Sequence, residues 1–147
     1  MKHFKLLAFA ALSLCLFAIS SCEKAFYPLS VEKLVGTKWE GYVTMGDYKQ
    51  YILWTFTGTT TVEYENHSEL DKDATKDSPL RFKVSGTFTY NNLLDTFNAN
   101  FDDDNGYNLP DFPYTAEGHF FPNSMTFVLK TKSGLKTDDI LLKLIKE

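Results

Sequence analysis

Cysteine is nearly absent from this chain, with 2 in 147 residues, and both, Cys15 and Cys22, fall inside its N-terminal apolar run. From Glu23 onward there is no thiol to form a disulfide, a thiolate metal site or a cysteine nucleophile. Histidine is scarce as well: beyond that run only His67 and His119 remain, and neither has a serine elbow or a cysteine beside it to activate. Glu117 and His119 share a strand face by a period of two. A catalytic zinc takes three protein ligands, however, and no third residue stands at a matching spacing. These absences argue against an enzyme, a resident metal and a cofactor. Basic charge is also in short supply, with Lys+Arg 15 against Asp+Glu 19 and a net charge of -4. That is the wrong sign for holding nucleic acid.

One long apolar run is present, LLAFAALSLCLFAISSCEK, Leu6 to Lys24. It follows the short positive segment Met1-Lys2-His3-Phe4-Lys5, and its apolar heart, Leu6 to Ile19, falls short of the roughly 20 residues a spanning helix needs. A positive start, an apolar centre and small residues ahead of a cut are the marks of a secretory signal peptide. The tetrapeptide Ile19-Ser20-Ser21-Cys22 resembles the lipobox of bacterial lipoproteins, in which an acylated cysteine becomes the new N-terminus. The resemblance implies a leader over 1–21 and an anchor at Cys22 carrying a diacylglycerol and an amide-linked chain of the palmitate type, and two or more acyl chains hold a protein stably to a membrane. Cys15 leaves with the leader. Loss of Lys2 and Lys5 takes the basic count from 15 to 13 against 19 acidic residues, a net charge of -6. Glu23 rather than Asp follows the cysteine, which by analogy with enteric lipoproteins points to the outer membrane.

Residues 22–30 read as a lipidated tether, of which Glu23 to Ser30 reaches about 29 Å at full extension. Ser30 is placed to cap a short helical turn through VEKLVG, with Gly36 as its left-handed terminator. No low-complexity tract or further linker interrupts the remainder, so 31–147 is expected to form one domain.

From Thr37 the periodicity is two rather than 3.6, the mark of strands with one buried face. In LRFKVSGTFTY, Leu80, Phe82, Val84, Gly86, Phe88 and Tyr90 fall on one face, and Arg81, Lys83, Ser85, Thr87 and Thr89 on the other. Eight such segments are predicted, at 37–45, 48–57, 60–66, 80–90, 94–101, 114–121, 124–132 and 138–146. Short junctions such as MGD, TGT, YNN and FPNS suit antiparallel hairpins. HSELDKDATKDSP and DDDNGYNLPDFP are too long for tight turns and should project as loops. The expected fold is therefore all-β, an eight-stranded antiparallel up-and-down barrel, with a two-sheet sandwich as the competing solution until the resemblance that follows decides for the barrel. KLVGTKWEG, YILWTFTGTTTVEY and EGHFFPNSMTF together resemble the lipocalin-like lipoproteins of Bacteroides-type bacteria, which implies a lipocalin-like barrel on a lipid anchor.

A barrel of eight strands is wide enough either to be filled by its own side chains or to hold one small ligand. The many aromatic residues favour filling. If a pocket exists, it is expected at one mouth, lined by Trp54, Phe56, Tyr64, Phe88 and Tyr90, where hydroxyls and an indole N–H could orient an apolar guest. The acidic runs Asp102-Asp103-Asp104 and Asp71, Asp73, Asp77 lack the EF-hand spacing and read as turn residues. Two functions from different classes follow. One is a binding module for a small apolar or amphipathic ligand, and the other is a packed scaffold that contacts another envelope protein or inhibits an enzyme. Outward-pointing Leu141 and Ile145 lean toward the second. The anchor is tested first: Cys22→Ser should abolish incorporation of labelled palmitate and move the protein out of the membrane fraction, and a variant still acylated and retained would refute it.

Overall fold

A strand with alternating apolar and polar side chains must cover one face, and eight such strands in series can do so by closing on themselves. The computed structural model describes residues 26–28 and 30–146. The expected leader over 1–21 and the expected anchor Cys22 lie outside the described residues. A 3-10 turn at Val31–Lys33 precedes β1 (Lys38–Met45), β2 (Tyr48–Phe56), β3 (Thr61–His67), β4 (Leu80–Asn91), β5 (Thr96–Asp103), β6 (Tyr114–Phe121), β7 (Ser124–Lys130) and β8 (Ile140–Leu144). Each strand pairs with the next and β8 returns to β1, giving a closed antiparallel barrel. The eight predicted segments are the eight strands, with differences at their ends. β5 starts at Thr96 rather than 94 because Asn91 Oδ1 accepts the N–H groups of Leu93 and Leu94 in the turn before it. β8 starts at Ile140 rather than 138; ahead of it the chain meets β7 through an isolated bridge between Lys136 and Lys130 and a bond from Thr137 N–H to Leu129 O.

The closing seam is short. β1 pairs with β2 from Lys38 to Met45 but meets β8 only through Trp39↔Leu144, Glu40↔Lys143 and Gly41↔Leu142. Gly41 permits that approach, since a Cβ there would overlap the Leu141 carbonyl oxygen and sit 2.7 Å from Leu142 Cδ2. Most inward positions are apolar and sealed, among them Trp39, Ile52, Trp54, Phe56, Phe101 and Leu142. Outward positions are largely polar: Lys83 Nζ lies 2.9 and 3.0 Å from Glu63 and Glu65, and Lys130 2.6 Å from Glu117. A membrane-spanning barrel has the reverse arrangement, with its apolar band outside.

The two ends of the barrel differ. At one, the strands are joined by the turns over 57–60, 92–95 and 122–123; at the other lie the short turn over 46–47 and all the long loops, 68–79, 104–113 and 131–139. The N-terminal segment plugs the short-turn end. Leu34 is fully buried there, and the Phe26 ring packs 5.9 Å from Trp39. Phe26 N–H donates to Asn123 Oδ1 at 2.6 Å while Asn123 N–H donates to the Phe26 carbonyl at 2.8 Å. The Tyr90 hydroxyl donates to the Pro28 carbonyl. Part of the expected tether is thus fastened to the barrel. Ser30 is extended and makes no side-chain cap, because a turn of three residues closes through main-chain bonds from Lys33 N–H to Ser30 O and from Leu34 N–H to Val31 O. Gly36 does take the left-handed conformation, with φ of 85°.

Gly118 provides a test of how tightly the wall is packed. A Cβ at this inward position would overlap the Thr126 carbonyl oxygen and lie 2.7 Å from both Phe127 Cβ and Phe97. Gly118→Ala should therefore lower the unfolding free energy by about 1 to 3 kcal/mol, the usual cost of overpacking, as read from denaturant midpoints; an unchanged midpoint would show that the wall yields.

Candidate functional site

The aromatic residues stack along the barrel axis. Trp54 occupies the middle, its ring 4.5 Å from Phe127, 5.4 Å from Phe101, 5.9 Å from Tyr64 and 6.0 Å from Phe97. Toward the plugged end, Phe56 packs 4.8 Å from Phe88, and Phe120 touches Trp39 at 5.5 Å. The structure pairs Trp54 with Tyr64 and Phe56 with Phe88 but does not gather the five predicted ligand-binding residues around one opening. Trp54, Phe56, Tyr64 and Phe88 are buried in this column. Tyr90 lies at the plugged end, 5.5 Å from Phe120 and bonded to Pro28 and Asp95. Trp54 Nε1 finds no acceptor among the described residues, whereas Trp39 Nε1 donates to Thr37 Oγ1 at 2.8 Å.

Of the five, Tyr64 alone lines the cavity that remains at the loop end. That cavity holds about 90 Å³, far below the roughly 300 to 1,000 Å³ of sites for drug-sized ligands. Val43, Tyr64, Phe82, Tyr114 and Leu129 wall it, Leu109 and Pro110 roof it, and Arg81 also borders it. The roof is built from the acidic loop. Asp104 accepts N–H groups from Gly106 at 2.9 Å and Leu109 at 3.1 Å, and Asp103 accepts Asn105 N–H at 2.9 Å. The Tyr114 hydroxyl holds the Pro110 carbonyl at 2.9 Å, and Lys132 N–H ties the neighbouring loop to the Asp111 carbonyl at 2.8 Å. In loop 68–79, Asp73 accepts Lys49 N–H at 2.7 Å.

A polar pair occupies the same layer, because Gln50 is the cross-strand partner of Val43 and Asn66 that of Phe82. Asn66 Nδ2 donates to Gln50 Oε1 at 2.9 Å, while Asn66 Oδ1, fully buried, has no partner among the described residues. Burial pushes the Tyr64 hydroxyl up to about 12, partly opposed by a hydrogen bond from Asn66. Burial raises Tyr114 as well. Gln50 and Asn66 escaped the sequence reading although the signal existed, since steps of two from Ile52 and Tyr64 land on them. Strict alternation puts Arg81 on the outer face and Leu80 on the inner one; Arg81 is exposed at the rim of the cavity, and Leu80, itself exposed, is the residue that departs from the pattern. His67 pairs with Leu80 and Asn66 with Phe82, so Arg81 is the extra residue of a β-bulge, a device that re-aims side chains near functional sites.

Larger hollows lie on the outer wall. One of about 660 Å³ includes Glu117, His119 and Lys130, and one of about 730 Å³ includes Tyr42, Tyr51 and Leu141. The first is a polar surface in which Lys130 holds the Glu117 carboxyl below its usual range. Among the described residues no three His, Cys, Asp or Glu side chains are grouped to hold a metal ion. In the second, Leu141 is 48% and Tyr42 50% exposed, so the aliphatic outward face expected of β8 is present at Leu141, while Ile145 is half-buried. No family model, curated protein or solved structure matches the chain, so the functional reading rests on these residues.

The raised Tyr64 pKa has a consequence for stability. An exposed tyrosine ionises near 10, so on raising the pH the unfolded chain loses this proton before the folded one does. The stability held by the protonated hydroxyl is complete below pH 10 and is lost between pH 10 and about 12. Tyr90, also pushed up to about 12 by burial, is half-exposed and adds less. Tyr64→Phe should flatten the alkaline decline by up to about 1.4 kcal/mol per pH unit, measured by denaturant titration at steps from pH 9.5 to 12; identical slopes would show that the ring is not sealed.

Proposed function

We propose that the chain is an outer-membrane lipoprotein of the lipocalin-like kind, anchored through Cys22, whose barrel performs no catalysis and binds a small apolar or amphipathic molecule at its loop-end mouth. The observation that carries this reading is the arrangement of the ends. The N-terminal segment is fastened at Phe26 and Pro28 to the plugged end, and the long loops and their cavity occupy the opposite one. A chain held to a membrane just ahead of Phe26 keeps the plugged end near the lipid and the mouth away from it. The filled column restricts any guest to the mouth and limits its size. A second reading, a scaffold that contacts an envelope protein or inhibits an enzyme, draws on the exposed Tyr42 and Leu141 beside the outer hollow.

Tryptophan emission separates the two. Tyr64 stands between the cavity and Trp54, whereas Trp39 packs on Phe26 and Phe120 at the plug. Titration with a panel running from short fatty acids to sterols, haem and aromatic metabolites should change emission only for its smallest members. Trp39→Phe should keep that response and Trp54→Phe should lose it. Silence from the whole panel in the unmodified protein would overturn the binding reading and leave the scaffold.

A further inference from the structure

We propose that the mouth selects a small carboxylic acid in its ionised form, with Arg81 clasping the carboxylate and the cavity enclosing an apolar body of about three or four carbons. This rests on the mouth being the binding site and goes on to name the class of guest. Arg81 is the chain's sole arginine. The β-bulge leaves it without a cross-strand partner, so it borders the cavity while its neighbour in the strand, Lys83, stays on the outer face.

The two cations are treated differently. Lys83 is gripped by Glu63 and Glu65, but no ion pair holds Arg81 among the described residues of a chain with 19 acidic side chains. Arg81 borders the same cavity as Tyr64 and Tyr114, and its charge opposes the rise that burial gives both hydroxyls. A guanidinium presents two parallel N–H donors that match a carboxylate and stays charged at any physiological pH. Beneath it the walls are Val43, Phe82 and Leu129, apolar surfaces that favour a hydrocarbon body. The volume of about 90 Å³ equals roughly three waters at about 30 Å³ each, which sets the length of the enclosed chain. An amine of the same shape would meet the guanidinium with like charge, and a neutral amide would lose the charge-assisted pair.

The test uses the full-length chain in lipid nanodiscs, with methyl NMR signals of Val43, Leu109 and Leu129 as local reporters and empty nanodiscs as the blank. Pentanoate should shift these signals saturably. Pentanamide should bind about tenfold more weakly, the usual scale for losing a charge-assisted hydrogen bond, and pentylamine more weakly still. Arg81→Gln, at an exposed position, should leave the remaining methyl spectrum unchanged and reduce pentanoate affinity to that of pentanamide, while Arg81→Lys should restore only part of it. Equal binding of pentanoate and pentanamide, or an undiminished affinity in Arg81→Gln, would overturn the carboxylate assignment and leave the mouth as an apolar site. Inorganic phosphate competing as well as pentanoate would overturn it in favour of a general anion clip. If none of the three organic probes moves these methyl signals, the carboxylate assignment and the mouth as a binding site both fall.

Discussion

Three residue pairs between the first strand and the last turn an open sheet into a vessel. Trp39, Glu40 and Gly41 meet Leu144, Lys143 and Leu142, and without that seam the column of rings has a floor but no enclosing wall. The seam in turn depends on a missing side chain, since any Cβ at Gly41 would run into the carbonyl of Leu141. Everything inward follows from closure. Once the wall is complete, interior positions exclude water from every side, and aromatic residues that would be poor company for solvent become the filling. Rings of this size bury large apolar areas and gain further from edge-on packing, which explains how a chain of modest length seals its core without a disulfide among the described residues.

Filling limits what the barrel can enclose. A lipocalin-type barrel with a hollow interior can swallow a ligand whole, but here Trp54 and its four ring neighbours occupy that space. The column ends where the sequence turns polar, at Gln50 and Asn66, and there the packing loosens into a small cavity. Roof and wall come from different parts of the chain: the wall from strands, the roof from an acidic loop whose carboxylates hold main-chain N–H groups. The long loops shape the mouth, with Asp103 and Asp104 holding the roof loop and Asp73 tying its neighbour to Lys49.

Most of the fold was legible because strand alternation is a short-range signal. Each residue's side is fixed by its neighbour two positions away, so Phe82, Val84 and Phe88 announced an inner face before any partner strand was known. The phase of Trp39 and Trp54 was equally plain. What alternation could not supply was anything that breaks it or anything set by distant residues. Leu80, inward by alternation, is exposed because the inserted Arg81 shifts the phase, and no local pattern marks a bulge. The five predicted ligand-binding residues were legible as interior, yet whether an interior is hollow depends on how rings from several strands interlock. Phe127 closing to 4.5 Å on Trp54 is a fact about two strands far apart in sequence. The gathering of the long loops at one end was open to inspection in principle, because strands in an up-and-down barrel alternate direction and so do their connections.

The clasp between Phe26 and Asn123 has a further consequence. For a chain anchored at Cys22, only three residues separate the anchor from this clasp, four steps along the chain that span at most about 14 Å. A domain on a long leash tumbles and shows every face in turn; a domain fastened this near its base stands like a post with a fixed top. Molecules then meet different parts of it according to how they travel. Something diffusing in from the bulk arrives at the mouth, whereas something moving within the membrane plane arrives at the plug. The same short fastening that closes the barrel's floor would thereby act as a sorter by route, admitting solutes from one side and denying lipids from the other.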